Sequence, residues 1–217
     1  LRTLAATFAG LAATAAAAAL KPGDAAPAFT AQASLAGKPF AYSLKEQLAR
    51  GPVVVYFYPS AYTSGCNIQA HEFSTRADQF AAAGATVIGV SLDSIERLNE
   101  FSADPDYCAG KLAVASDRDG KIARAYGLRV SDARSGATDT RGKEIDHGFT
   151  ERTTFVVKRD GTVLAAVGAS RRSRTSRARS SWCASCRRRT SAGDRATARA
   201  AHRPAAPLPA CCRSAPF

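Results

Sequence analysis

Cysteine is scarce where a disulfide scaffold would need it. Of six cysteines, only Cys66 and Cys108 precede residue 171, while Cys183, Cys186, Cys211 and Cys212 crowd into the last 47 residues. Two thiols in a body of that length exclude a disulfide-stapled fold and point instead to redox chemistry. Long apolar runs are also missing. The opening stretch 1–19, LRTLAATFAGLAATAAAAA, is apolar but short and mostly alanine, which argues against a stable membrane span. Its single arginine, Ala/Leu-rich run and small-residue end of the Ala-x-Ala kind give it the form of a secretory signal peptide cleaved near Ala19 or Leu20. The expected location is therefore periplasmic or exported, with cytoplasmic as the alternative.

From residue 171 to 217 there is no Val, Ile, Tyr or Lys and only one Leu, so almost nothing is available to bury. Disorder is expected there. The same stretch holds twelve of the 30 basic residues against one acidic residue, Asp194, so nearly all of the formal +12 belongs to it. What precedes it is close to neutral, which removes the net charge as evidence for a basic binding face on the folded part. The abrupt change after a well-formed strand reads as a reading-frame change near Ala169.

Residues 20–168 read as one domain of alternating strands and helices. An extended start leads to a hairpin turning at Leu35-Ala-Gly-Lys-Pro39, and Ser43 with Glu46 forms a capping box for a helix that Gly51-Pro52 closes. Ala85–Leu92 is a second buried strand. Asp93 with Glu96 opens a helix whose Ile95, Leu98 and Phe101 face inward and which ends at Asp104-Pro105. A short strand at Leu112–Ala115 and a short helix at Lys121–Tyr126 follow; residues 129–150 are polar and carry no readable period. Thr153–Lys158 and Thr162–Val167, joined at Arg159-Asp160-Gly161, form a closing hairpin. The alternation implies an α/β domain with a mostly parallel sheet and helices on both faces.

The chain is organised around residues 53–73, VVVYFYPSAYTSGCNIQAHEF. Residues 53–58 form an apolar, β-branched and aromatic run of strand length, and Pro59 stops it. From Ser64 onward Phe73, Ala77 and Phe80 recur at helical spacing up to Gly84, a helix of about five turns. Cys66 then sits in its first turn, where free backbone N–H groups and the positive end of the helix dipole favour a thiolate. A small buried cysteine is the plain alternative.

The spacing Pro59-x-x-x-Thr63-x-x-Cys66 after an apolar strand resembles the active-site signature of the peroxiredoxins, the thiol-specific antioxidant family. Gly23-Asp24, Ala26-Pro27 and Phe29 resemble the opening of such domains, although Ala28 stands where the family often has an acidic residue. The resemblance covers about Leu20 to Gly168. It implies a thioredoxin-like fold, a central mixed sheet flanked by helices with an N-terminal hairpin extension, and a closing helix whose place SRRSRTSRARSS occupies here. It further implies that Cys66 is the peroxidatic nucleophile, that Thr63 orients the peroxide, that Pro59 shields the sulfur, and that Arg152, before a hairpin strand, stabilises the thiolate. A surface arginine paired with Glu151 is the alternative for Arg152. Gln69 falls where the family often has a residue supporting that arginine.

The implied chemistry is attack of the Cys66 thiolate on peroxide to give a sulfenic acid, with no metal, haem or flavin required. In many bacterioferritin-comigratory-protein (Q-type) members the resolving cysteine lies five residues on, where this chain has His71. Another group carries it where Cys108 stands, so Cys108 is expected to resolve to a disulfide that a thioredoxin-like partner reduces; a buried structural role is the alternative. A 1-Cys peroxidase is the nearest competing reading. A thiol-disulfide oxidoreductase would need a second cysteine at Gln69, and a non-specific anion binder would use the basic tail. His71 and His147 have no second ligand at metal spacing. Trp182-Cys183-Ala-Ser-Cys186 resembles a thioredoxin motif, and Cys211, Cys212 and His202 resemble zinc ligands, but no strand and helix frame them. Monomer and dimer stay open, as does the choice between hydrogen peroxide and organic hydroperoxides.

Overall fold

The computed structural model describes residues 18–168. Most of the alanine-rich opening and the whole arginine-rich stretch, with its four cysteines and His202, lie outside the described residues, and so do the expectations of a cleaved signal, a disordered tail and tail thiol motifs. No helix among the described residues is long and apolar enough to cross a membrane.

Twelve elements follow in order: β1 (Thr30–Leu35), β2 (Lys38–Ser43), α1 (Leu44–Arg50), β3 (Val53–Phe57), α2 (Ser64–Thr75), α3 (Ala77–Ala82), β4 (Thr86–Ser91), α4 (Ile95–Ala103), β5 (Ala113–Ser116), α5 (Lys121–Ala125), β6 (Thr153–Val157) and β7 (Val163–Gly168). The strands form one seven-stranded sheet in the order β2-β1-β5-β4-β3-β6-β7. Only its centre is parallel. β3 pairs parallel with β4 and β4 with β5, whereas β1, β2, β6 and β7 join antiparallel, so the sheet is the central mixed one that the family resemblance implies, and not the mostly parallel one that the alternation alone suggests. The reason is local: two tight hairpins flank the βα repeats, and a hairpin can only pair its strands antiparallel. In the first of them Ala36 and Gly37 both take positive φ, at 51° and 78°, as a two-residue turn of this hand requires.

β3 is buried along its whole length, because a central strand covered on both faces has no outward side. Val53, Val55 and Phe57 point into one core with Leu44, Leu48, Ile88, Tyr126 and Phe155. Tyr56 points to the other face, into a core with Tyr58, Tyr62, Cys66, Leu98, Phe101 and Cys108. Cys66 and Cys108 thus share the core on the Tyr56 side of the sheet.

The long helix expected from Ser64 to Gly84 is broken at Arg76, which leaves helical geometry with φ −103° and ψ 8°. Two adjacent hydroxyls explain it. Ser74 Oγ donates to His71 O at 3.0 Å and Tyr107 O at 2.7 Å, and Thr75 Oγ1 donates to His71 O and Glu72 O at 3.0 and 3.2 Å. Such back-bonding competes with the helix's own ladder and bends it. The apolar spacing survives the break: the Phe73 and Phe80 rings lie 5.9 Å apart.

Gly89 in β4 marks the tightest approach in the second core. A Cβ there would lie 2.5 Å from the Tyr56 ring, whose hydroxyl is buried without a hydrogen-bond partner. Gly89→Ala must displace that ring, and the expected cost is about 1–3 kcal/mol of stability. The check is a lower urea midpoint at unchanged slope.

Candidate active site

β3 ends at Phe57, and the chain passes through Tyr58, Pro59, Ser60, Ala61 and Tyr62 to Thr63, the N-cap of α2. Proline at position 59 costs nothing, since a strand's continuation stops there and no N–H is called for. Thr63 makes no side-chain cap. Its hydroxyl instead donates to Ser60 O at 2.9 Å, while its carbonyl accepts the N–H groups of Cys66 at 2.9 Å and Asn67 at 2.8 Å. With its proton committed, the Thr63 oxygen has lone pairs left to accept.

Cys66 lies in the first turn of α2 and is 1% exposed. Arg152, just before β6, reaches it across the sheet: Nη2 donates to Cys66 Sγ at 3.0 Å. Nη1 of the same guanidinium donates to Gln69 Oε1, and Gln69 Nε2 lies 3.5 Å from Thr154 Oγ1. The surface alternative for Arg152 does not hold, because Glu151 pairs with Arg129 at 3.5 Å instead. At Cys66 a cation in contact with the sulfur thus meets the first turn of a helix, whose cap residue Thr63 has its hydroxyl proton committed to Ser60 O. Such a pocket stabilises charge on the sulfur and on an oxygen leaving from it.

Cys108 is not at this pocket's mouth. It lies in the turn after α4, fully buried among Tyr56, Tyr62, Phe101 and Leu112, and it is a free thiol, as is Cys66. Burial, helped by the negative charge of Asp104, pushes its thiol well above the usual range. His71 is exposed and bonds Asp106 O at 3.0 Å, so it faces the Cys108 turn and not Cys66.

Residues 22–166 match the AhpC/TSA family, two thirds of the chain and every element of the site just described. The chain belongs to the AhpC/TSA family. It is a peroxiredoxin of the bacterioferritin-comigratory-protein or Q type, and so a thiol-dependent peroxidase. A peroxiredoxin of Mycobacterium tuberculosis (strain CDC 1551 / Oshkosh) is 35% identical over 147 residues, 68% of this chain and 84% of that one. The peroxiredoxin Bcp of Xanthomonas campestris is 31% identical over 114 residues, 52% of this chain and 64% of that one. Among solved structures, the peroxidoxin BcpB of M. tuberculosis superposes with a TM-score of 0.56 at 28% identity, covering 69% of this chain and 86% of that one. The X. campestris bacterioferritin comigratory protein, whose alkyl peroxide reduction has been studied with trapped intermediates, superposes with a TM-score of 0.50 at 26% identity, covering 71% and 90%.

Sequence reasoning missed what holds this peroxiredoxin's catalytic loop. Asp93, expected to cap α4, does not: Ser94 is the cap, accepting the Arg97 N–H at 3.4 Å, and Asp93 turns inward to full burial. Arg97 and His147 pair with it there, and Asp139 pairs with Arg97, the two residues His147 and Asp139 coming from the unreadable stretch 129–150. The D-x-x-E pattern fitted a cap equally well, so only the unusual run Ser-Leu-Asp-Ser beside a buried strand hinted at another use.

Proposed function

We propose that Cys66 attacks the terminal oxygen of a hydroperoxide, with the Arg152 contact at 3.0 Å from its sulfur as the observation that carries the reading. The S–O bond forms as the O–O bond breaks; sulfur is oxidised by two electrons to sulfenate, water or an alcohol leaves with the peroxide's proton, and a proton from solvent completes the sulfenic acid. Thr63 accepts the peroxide O–H while Arg152 and the free amides of the α2 start offset the charge that moves to the leaving oxygen. Hydrogen peroxide and organic hydroperoxides are both assigned as substrates, the second supported by the alkyl peroxide reduction of the X. campestris relative.

Cys108 is assigned as the resolving thiol. Its attack on the Cys66 sulfenic acid forms the disulfide and releases water, and a thioredoxin-like dithiol then returns both thiols. A thiol held above its usual range must leave its burial first. The turn around it is built for that: Ala109 takes φ 52°, a left-handed backbone that alanine adopts at a cost, next to Gly110 at φ 67°. Q-type chemistry with one thiol, Cys66 alone, is the second reading, favoured by the full burial of Cys108.

Peptide mass mapping after one equivalent of hydrogen peroxide, with thiols blocked at quench, separates these. A Cys66–Cys108 linkage is expected, and Cys108→Ser should leave the first turnover intact but accumulate sulfenic acid on Cys66 and stall recycling by a dithiol reductant. Sulfenic acid on Cys66 beside a free Cys108 in the parent protein makes it a one-cysteine enzyme.

A further inference from the structure

The loop from Ser60 to Tyr62 is gripped by buried charge. Asp93 Oδ2 accepts the Ala61 N–H and the Ser91 hydroxyl, both at 2.7 Å, and Oδ1 accepts the Ser60 hydroxyl at 2.9 Å. Arg97 Nη2 donates to Ala61 O at 2.9 Å and to Asp139 Oδ2 at 2.8 Å, while its Nε forms an ion pair with Asp93 Oδ1 at 2.9 Å. Ala61 is thus held by both its N–H and its C=O. His147 closes the cluster, with Nε2 2.9 Å from Asp93 Oδ1 and Nδ1 2.7 Å from Gly148 O. Nε2 also lies 3.4 Å from Ser60 Oγ, so the Ser60 hydroxyl and the His147 ring meet at one carboxylate oxygen. Ser60, His147 and Asp93 do not form a hydrolytic Ser-His-Asp relay, because the Ser60 hydroxyl donates to Asp93 directly and Ser60 is fully buried.

The neighbouring residue is held from a second side. Tyr62 takes φ 60°, its carbonyl accepts Thr140 N–H at 2.9 Å and Thr140 Oγ1 at 2.8 Å, and the Arg141 guanidinium lies 3.3 Å from its ring centroid. Burial would push Asp93 upward, but the hydrogen bond and charge of His147, with the bonds from Ser91 and Ala61, hold it below its ordinary carboxylate value. A buried ion cluster of this kind adds little net stability compared with an apolar core, yet removing one member strands the others. Its value lies in fixing one arrangement. The arrangement fixed here sets Ser60 O, the acceptor that commits the Thr63 proton.

We propose that Asp93 and His147, acting with Arg97, are positioning residues for peroxide reduction: they fix Ser60 and Ala61, and through Ser60 O the acceptor face of Thr63. The inference rests on Cys66 being the attacking thiolate with Thr63 as peroxide acceptor. None of the three touches the sulfur, so reactions that need only the thiolate are untouched by them, whereas a reaction that needs an aligned peroxide is not. Misplacement of an orienting group by about 1 Å costs roughly ten- to a hundred-fold in rate.

The experiment compares two reactions of Cys66 in the full chain, with parent, His147→Gln and Asp93→Asn: single-turnover oxidation by hydrogen peroxide and alkylation by iodoacetamide. Glutamine keeps an N–H for Asp93 but not the imidazole ring that also reaches Gly148 O; asparagine sets an amide against the Ala61 and Ser donors. The expected result is a ten-fold or greater fall in peroxide oxidation with alkylation within about two-fold of the parent and an unchanged fold by circular dichroism. Parallel falls in both reactions, or no fall in folded His147→Gln, overturn the proposal. Where Asp93→Asn does not fold, His147→Gln decides alone. A parent protein whose Cys66 alkylates but does not react with peroxide removes the Cys66 reading itself, which keeps the two failures apart.

Discussion

Cys66→Ser is expected to reduce peroxide consumption to the uncatalysed background, in single turnover as well as in a coupled assay. The loss should be complete because the sulfur has two tasks. It is the nucleophile, and it is also the atom that gives up two electrons as the O–O bond breaks. A serine oxygen does neither at neutral pH, since its proton is far harder to remove and oxygen has no sulfenic counterpart here. The exchange is nearly isosteric at a site that is 1% exposed, and the hydroxyl still offers Arg152 an acceptor in place of the 3.0 Å contact to sulfur. The fold should persist, which near-ultraviolet circular dichroism of the six-tyrosine chain reports. Retention of more than a tenth of the parent rate would move the chemistry to another thiol. The contrast with Cys108→Ser sharpens the test, because that variant is expected to keep the first turnover and lose only the return to the reduced state.

The parts of this site that were legible in the sequence are those written in local pattern. A β-branched run, a proline stop and a helical period are short-range features, and they placed Cys66 at a helix start without any tertiary knowledge. Arg152 was legible only through the family resemblance, since it stands 86 residues from the sulfur it faces. What escaped shares one cause. The break at Arg76 depends on where two hydroxyls point, and the inward turn of Asp93 depends on finding Arg97 and His147 in its path. Residues 129–150 have no period because their order comes from single polar contacts, Asp139 to Arg97 and Thr140 to Tyr62, and not from a repeating apolar face. Buried ion pairs have no sequence signature of their own; each member alone reads as a solvated charge. The alternation of strands and helices alone suggested a mostly parallel sheet; its mixed direction was legible through the family resemblance and through the two hairpins that cause it.

Arg152→Lys is expected to lower the second-order rate constant with hydrogen peroxide by about a hundred-fold, the usual scale for losing one aimed donor to a developing oxyanion. Lysine keeps the charge, so the variant tests geometry. One guanidinium here donates through Nη1 to Gln69 and through Nη2 to Cys66, and it lies against the first turn of α2 so closely that a Cβ on Gly65 would be 3.3 Å from Nη2. An ammonium is a point donor on a flexible stem and cannot hold both partners in a fixed plane. Gln69→Ala removes only the support, and a smaller fall, about ten-fold, is expected from it as a group that orients another. Stability should hardly move in either, because Arg152 has no carboxylate partner among the described residues and Glu151 is already paired with Arg129. Unfolding midpoints within about 0.5 kcal/mol of the parent would bear that out. If Arg152→Lys reduces peroxide within three-fold of the parent rate, charge alone suffices, and the planar fork between Gln69 and the sulfur is packing without a catalytic purpose.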